Sequence, residues 1–176
     1  MIESLVSEKQ LADLKMLLDK AQKIVLTCHV SPDGDAMGAL TALLSVLKHQ
    51  NKEVFAITPN IFPDFLNWLP GVAEVMVYEK NEEMLNPILQ TADLFVCLDF
   101  NSMSRAGALG ECISATNAPR IMIDHHPYPS DEFQLSLSFP KMSSTCELLY
   151  RIIVQMDKGL EELTVDEAVS LYTGMM

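Results

Sequence analysis

Basic residues are scarce in this chain of 176 residues. Its 12 lysines and arginines are outnumbered by 24 aspartates and glutamates, which gives a net charge of −12 and an isoelectric point of about 4.6. A protein that binds a long duplex or RNA strand needs a basic surface, so the composition argues against such a partner. A small anionic substrate remains compatible with it, because bound metal ions supply positive charge locally.

The sequence also lacks cysteine pairs and long apolar runs. The four cysteines, Cys28, Cys97, Cys112 and Cys146, form no C-x-x-C motif, and the first two lie in apolar segments typical of reduced core residues. The first ten residues have no basic region followed by an apolar core, and no run is long enough to cross a membrane. We therefore expect a cytoplasmic protein without a membrane partner.

The most informative segment runs from His29 to Asp35, with the sequence HVSPDGD. It follows the apolar run 24–28, which predicts a buried strand, and it precedes residues 36–47, which predict a helix. The histidine and two aspartates therefore lie at the carboxyl end of a strand, where sites in α/β sheets usually form. Imidazole and carboxylate ligands suit Mn²⁺, Mg²⁺, Fe²⁺ or Zn²⁺. The alternative is that Asp33 or Asp35 simply caps the helix.

A second apolar segment ends in an acidic residue. Residues 93–99 are almost entirely apolar, which is typical of a parallel strand buried on both faces, and the last of them is Asp99. This carboxylate would emerge at the same sheet edge as the first segment, unless it only caps the turn at 101–104. Arg105 follows, and an arginine beside carboxylates suggests an anion clamp, with an ordinary ion pair to Asp99 as the alternative.

The last predicted strand, residues 119–123, is followed by Asp124, His125 and His126. Adjacent side chains at a strand end point in different directions, so one histidine can ligate a metal while the other contacts a substrate. The alternative is a pair of core histidines, and their position beside an aspartate argues against it.

The alternation of predicted strands and helices indicates right-handed crossovers and a parallel sheet. The predicted strands are residues 23–28, 53–58, 74–78, 93–99 and 119–123. A helix over 82–91 is predicted to be broken at Pro87. If the polar groups at the strand ends meet, strands one, four and five must be neighbours. We therefore predict an α/β three-layer sandwich, with helices on both faces of a five-stranded parallel sheet in the Rossmann-like order 3-2-1-4-5.

The joint pattern resembles the DHH phosphoesterase superfamily. The resemblance is carried by H-x-x-P-D-x-D from His29 to Asp35, by Asp99 at the end of a strand, and by the D-H-H motif that begins at Asp124. Within the superfamily the chain is most similar to the RecJ-like branch of NrnA-type oligoribonucleases and bisphosphate-nucleotide phosphatases. The likeness covers essentially the whole chain, as an N-terminal DHH domain.

This resemblance implies a set of metal ligands. His29 and Asp33 would bind one divalent cation, Asp35 and His125 would bind a second, and Asp99 would bridge the two. The expected ion is Mn²⁺, with Mg²⁺ as the alternative, because the ligand set is rich in oxygen and free of thiols.

The resemblance also implies catalytic roles for three side chains. Asp124 would orient its neighbours, and His126 and Arg105 would contact the phosphate. Residues 143–145 match a stretch near the site in this family, and an ordinary helix N-cap is an equal alternative for them.

The implied reaction is metal-dependent hydrolysis of phosphate esters by a hydroxide that bridges two cations. The substrates would be short oligonucleotides, cleaved by an exonuclease, or 3′-phosphoadenosine 5′-phosphate. Two alternatives are a family II-type inorganic pyrophosphatase and a non-enzymatic nucleotide-sensing module. A plain dinucleotide-binding fold is disfavoured, because the first strand-to-helix turn has no G-x-G-x-x-G motif.

The family pattern also predicts the domain organisation. Family members carry a further acidic ligand and a substrate-binding domain, both of which would follow Met176. We therefore expect residues 1–176 to form the N-terminal, metal-binding catalytic domain of a longer protein that can form a homodimer.

Overall fold

Parallel strands form the centre of the computed structural model, which describes residues 5–50, 52–156 and 163–176. The sheet has six strands in the order β3-β2-β1-β4-β5-β6, and every neighbouring pair is parallel. The strands are β1 (Lys23–Thr27), β2 (Glu53–Thr58), β3 (Met76–Val77), β4 (Leu94–Leu98), β5 (Arg120–Asp124) and β6 (Leu135–Ser138). The predicted parallel sheet is confirmed, and its first five strands have the predicted neighbours.

The predicted number of five strands is wrong, because β6 adds a sixth at the edge. This strand pairs with β5 in the register Ile121↔Leu135 to Asp124↔Ser138. No helix separates the two strands in the chain, so the strand–helix alternation on which the prediction depended does not signal it. With only four residues alternating Leu and Ser, β6 is also too short to stand out as a buried run.

Helices cover both faces of the sheet, as predicted. They are α1 (Glu8–Lys20), α2 (Gly34–Lys48), α3 (Tyr78–Gln90), α4 (Gly107–Ser114), α5 (Thr145–Gln155) and α6 (Val165–Met175), with short 3₁₀ helices at Asp64–Leu66, Val72–Glu74 and Met103–Ala106. Helices α1, α2, α5 and α6 contribute to one apolar core, and α3 and α4 contribute to the other. Within the described ranges, no helix combines the length and the apolar character needed to cross a membrane.

Pro87 lies inside α3 and does not break it, contrary to the sequence-based expectation. The backbone leaves helical geometry at Asn81 instead, where φ is −138° and ψ is 27°. Leu85 and Leu89 are fully buried against the second core on either side of the proline. Their burial holds the helix in place although Pro87 has no amide hydrogen to donate.

The last helix, α6, packs closely against the first turns of α2 through two glycines. A Cβ atom added at Gly38 would lie 2.5 Å from the carbonyl oxygen of Ser170. One added at Gly174 would lie 2.3 Å from the sulfur of Cys146 and 2.9 Å from the Cα atom of Asp35. The backbone of α6 therefore lies directly beside the start of α2, with no side chain between them.

Candidate metal centre

The carboxyl ends of β1, β4 and β5 meet at one edge of the sheet, because these three strands are neighbours. Asp99 follows β4 directly, and His29 and His125 follow β1 and β5. Two clusters of potential ligand atoms form there among the described residues, and both include Asp99. The clusters are His29–Asp33–Asp99 and Asp99–His125–His126.

Asp99 lies between two histidines and directs one oxygen to each. Its Oδ2 is 3.4 Å from Nε2 of His29, and its Oδ1 is 3.5 Å from Nε2 of His125. The side chain is only 2% exposed, and its backbone adopts a left-handed φ of +64°, which an aspartate tolerates better than most residues. Thr145 donates a hydrogen bond from Oγ1 to Oδ1 of Asp99 over 2.9 Å. This geometry suits a carboxylate shared by two ions.

Backbone carbonyls fix the orientation of both histidine rings. Nδ1 of His29 is 2.8 Å from the carbonyl oxygen of Val30, and Nδ1 of His125 is 3.2 Å from that of Met142. A carbonyl only accepts hydrogen bonds, so each Nδ1 donates its proton to the carbonyl, and Nε2 is the ring nitrogen available to a cation. This is the usual arrangement of metal-binding histidines.

Asp33 caps α2 and also lies beside His29, so the two interpretations of this residue are compatible. Its Oδ1 accepts hydrogen bonds from the amides of Asp35 and Ala36, at 3.0 and 3.1 Å, and is 4.0 Å from Nε2 of His29. Within the described ranges, its Oδ2 accepts no hydrogen bond, and 66% of the side chain is exposed. One oxygen is therefore occupied by the cap while the other is accessible to a ligand.

Asp35 holds the amino end of α5. Its Oδ2 and Oδ1 accept hydrogen bonds from the amides of Thr145 and Cys146, each over 2.7 Å. Oδ2 also lies 3.7 Å from Nε2 of His125, although Asp35 lies outside both clusters of potential ligands. Burial and the nearby charge of Asp99 raise the pKa of Asp35 to about 6, against the opposing effect of the two amides. Each oxygen retains a lone pair for a cation.

Asp124, the last residue of β5, holds the ring and the backbone of His126 in position. Its carboxylate is fully buried, with Oδ1 2.7 Å from Nδ1 of His126 and Oδ2 accepting from the His126 amide over 3.0 Å. Burial raises the pKa of Asp124, and its hydrogen bonds to His126 lower it by a smaller amount. Because Asp124 occupies Nδ1, the ring nitrogen of His126 that is available to a ligand is Nε2.

Arg105 is exposed on the 3₁₀ helix at Met103–Ala106. Its backbone carbonyl accepts a hydrogen bond from the amide of Val30 over 2.8 Å, which places the arginine beside the loop that carries His29. Among the described residues, its guanidinium makes no ion pair or hydrogen bond, so the alternative of a pair with Asp99 is not observed. The guanidinium is therefore accessible to an anion.

The chemistry of the donors fits divalent cations that prefer oxygen and imidazole nitrogen. Burial raises the pKa values of the Cys28 and Cys146 thiols well above their ordinary range, so neither thiol offers a thiolate ligand. Burial lowers the pKa of His29, but its hydrogen bond to Asp99 and the charges of Asp99 and Asp33 outweigh burial and raise the pKa overall. The site thus concentrates negative charge that a cation would neutralise.

Three groups that support the site cannot be predicted from the spacing of ligand residues in the sequence. They are the carbonyls of Val30 and Met142, which orient the histidines, and the hydroxyl of Thr145. A carbonyl carries no residue-specific signal. Thr145 lies in the stretch expected either near the site or at a helix N-cap, and both apply there, because Ser144 caps α5 through the Glu147 amide while Thr145 contacts Asp99.

Residues 23–175 match the family model described as "DHH family, N-terminal domain". The chain belongs to the DHH family. This assignment confirms the superfamily expected from the motifs, and the relatives of this DHH domain support a metal-dependent phosphoesterase.

Among its relatives, the DHH domain is similar to the bifunctional oligoribonuclease and PAP phosphatase NrnA of Thermus thermophilus. The two are 28% identical over 155 residues, which cover 87% of this chain and 42% of the relative. The chain therefore spans less than half of the length of this curated relative.

Solved structures support the fold. An exopolyphosphatase-related protein from Bacteroides fragilis superposes with a TM-score of 0.96 at 37% identity, covering 99% of this chain and 51% of the other. RecJ of Thermus thermophilus in complex with Mn²⁺ superposes with a TM-score of 0.57 at 17% identity, covering 97% of this chain and 24% of RecJ. At that identity the RecJ likeness concerns the fold alone.

Proposed function

We propose that residues 1–176 form the metal-binding catalytic domain of a phosphoesterase that acts on short oligonucleotides or 3′-phosphoadenosine 5′-phosphate. The observation that carries the proposal is the position of Asp99, whose two oxygens lie 3.4 and 3.5 Å from the Nε2 atoms of His29 and His125. A buried carboxylate with a histidine on each side supports a site for two cations, with Mn²⁺ as the first choice.

The proposed ligands divide between two positions. His29 and Asp33 would hold the first cation, His125 and Asp35 would hold the second, and Asp99 would serve both. When bound, two divalent cations neutralise charge on a phosphate and lower the pKa of a water molecule to near neutrality. The hydrogen bonds of the two histidines to backbone carbonyls fix the rings and would leave their Nε2 atoms available to the cations.

The remaining site residues act on the phosphate. Arg105 has a free guanidinium that can bind two phosphate oxygens at once. His126, with Nδ1 held by Asp124, presents Nε2 as a hydrogen-bond donor when it is protonated. Both groups can stabilise negative charge that develops on the phosphate oxygens, and Asp124 holds the ring of His126 in position for this role.

The choice of substrate is supported by two observations. The relative from Thermus thermophilus is named as an oligoribonuclease and PAP phosphatase. The net charge of −12 disfavours a long nucleic acid but permits a short one that is bound mainly through metal ions. The cytoplasmic location, the second domain and a homodimer of the full-length protein remain predictions.

The test is Asp99→Ala in the full-length protein, assayed with Mn²⁺ on a dinucleotide and on 3′-phosphoadenosine 5′-phosphate. We expect hydrolysis to be abolished, because one carboxylate serves both cations. Asp19→Ala is the control, since Asp19 is an exposed acid on α1, before the amino end of β1. Near-wild-type turnover by Asp99→Ala would contradict the two-cation proposal.

The wild-type protein separates the alternatives in the same assay. Hydrolysis of pyrophosphate without hydrolysis of the nucleotides would indicate the pyrophosphatase alternative. Nucleotide binding with no metal-dependent turnover of any of these compounds would indicate a sensing module.

A further inference from the structure

Tyr128 is the most exposed large hydrophobic side chain of the described residues, with 91% of its surface accessible. It lies two residues after His126, on the loop that connects β5 to β6. Among the described residues, its ring has no hydrogen bond and no aromatic partner. The ring therefore contributes little to the folded core, although it lies next to the candidate site.

The backbone of Tyr128 adopts a left-handed conformation with φ of +61°. Such a conformation is unfavourable for a bulky residue, whereas asparagine or glycine adopts it readily. Unfavourable backbone conformations persist where surrounding contacts impose them, and they cluster at ligand-binding sites. The backbone conformation of Tyr128 therefore lowers the stability of the fold, and the exposed ring makes too few packing contacts to offset this cost.

Asn101 fixes this loop against the end of β4. Its Nδ2 donates to the carbonyl oxygen of Pro127 over 2.7 Å, and its own carbonyl oxygen accepts from the amide of Ser130 over 2.8 Å. Asn101 lies two residues after Asp99, so the loop of Tyr128 is tied directly to the candidate metal centre. The backbone that carries the ring is therefore held at a set place beside the site.

Glu132 links the same loop to the 3₁₀ helix of Arg105. Its Oε2 accepts from Oγ of Ser130, and it also accepts from Oγ of Ser102 and the amide of Met103, each over 3.2 Å. One carboxylate thus joins the segment that presents Tyr128 to the segment that presents Arg105. The segments that carry the ring and the arginine are therefore held to each other on the same side of the candidate site.

We infer that Tyr128 provides a stacking surface for a nucleobase of the substrate. The inference rests on the proposed function and names the part of the substrate that the ring contacts. A phosphate or a sugar offers no flat apolar surface, so the bases are the parts of a short oligonucleotide or adenosine bisphosphate that match an exposed aromatic face. The fixed backbone means that little order has to be gained when the base binds.

The test compares Tyr128→Asn and Tyr128→Phe in the full-length protein. Asparagine removes the ring but accepts the left-handed φ, and phenylalanine keeps the ring. We expect Tyr128→Asn to raise the KM for a dinucleotide by roughly 5- to 150-fold, the range found for loss of one base–aromatic stack. We expect Tyr128→Phe to stay close to wild type, and kcat to change little in either variant.

Two further measurements separate stacking from a structural role. The KM for an analogue of the dinucleotide that lacks its bases should be the same in Tyr128→Asn and wild type. The melting temperature of Tyr128→Asn should equal or exceed that of wild type, because the substitution relieves the backbone. An unchanged KM for the dinucleotide, an equal rise for the analogue without bases, or a lower melting temperature would each overturn the inference.

The inference can fail separately from the proposed function. If the wild-type protein hydrolyses none of the nucleotide substrates, the proposed function fails, and binding of adenosine monophosphate by calorimetry then decides the role of Tyr128. Weaker binding by Tyr128→Asn than by Tyr128→Phe would support stacking. Equal binding by the two variants, or no binding by the wild type, would refute it.

Discussion

Replacing Thr145 by valine tests the carboxylate that both proposed cation positions share. The substitution removes the hydroxyl that donates to Oδ1 of Asp99 over 2.9 Å and keeps a branched side chain of similar shape. Thr145 is fully buried and Asp99 is 2% exposed, so water cannot readily replace the lost donor. A hydrogen bond to a charged group contributes about 1.5–3 kcal/mol, and we expect the metal-free protein to lose that much stability.

The same substitution should weaken metal binding. Partners that hydrogen-bond to a metal ligand typically contribute a factor of roughly 10–100 to metal affinity, because they fix the position of the ligand. We expect a loss of that size for Mn²⁺ in Thr145→Val, measured by titration calorimetry, alongside unfolding in urea with a chelator present.

Thr145→Ser is the matched control, since it retains the hydroxyl and loses only the methyl group. We expect its affinity for Mn²⁺ to stay close to that of wild type. Equal losses in the serine and valine variants would assign the effect to packing of the methyl group. An unaffected valine variant would show that the hydroxyl contributes nothing to the site.

Two further predictions concern substrate binding and pH. Arg105→Ala should raise the KM for a phosphate substrate by roughly 10–100-fold and leave Mn²⁺ affinity unchanged, because its guanidinium contacts no proposed ligand; a parallel loss of Mn²⁺ affinity would contradict this. Asp35 should make the metal-free protein less stable as pH rises from 4 to 7. Its pKa is about 6 in the folded state and 3.8 ordinarily, so only the folded state keeps the proton between these values. The difference in unfolding free energy between Asp35→Asn and wild type should therefore change by about 3 kcal/mol over this pH range, measured by urea unfolding with a chelator. The same pH dependence in the variant and wild type would refute the assignment.

The sequence predicts the centre of the fold well because strands buried on both faces produce apolar runs. Two such runs are residues 93–99 and 119–123, which correspond to β4 and β5. As predicted, β4 lies next to β1 and β5 lies next to β4. By contrast, β6 was missed because it is an edge strand of four residues that follows β5 without a helix. Its pairing depends on contacts that a local pattern does not contain.

The sequence predicts which residues lie near one another at this edge of the sheet, but it does not predict the contacts that support them; their roles as ligands remain a prediction. The sequence left Asp33 as either a cap or a ligand, and the structure permits both because a carboxylate has two oxygens. Asp35 likewise binds the amides of α5 while lying 3.7 Å from His125. Whether one carboxylate can make both contacts depends on how far apart in space two segments lie that are distant in the sequence. The spacing of residues along the chain does not give that distance.

The joining of distant segments at the metal centre has a consequence for folding kinetics. Thr145 lies 46 residues from Asp99 and 110 residues from Asp35, so the ligands and their partners meet only after long loops have closed. The unfolded chain therefore contains no assembled site, so cations bound at the proposed positions would stabilise the native state alone. Closing such long loops costs entropy before the site can form, so a cation at the proposed positions would reward the chain only once these distant segments have met.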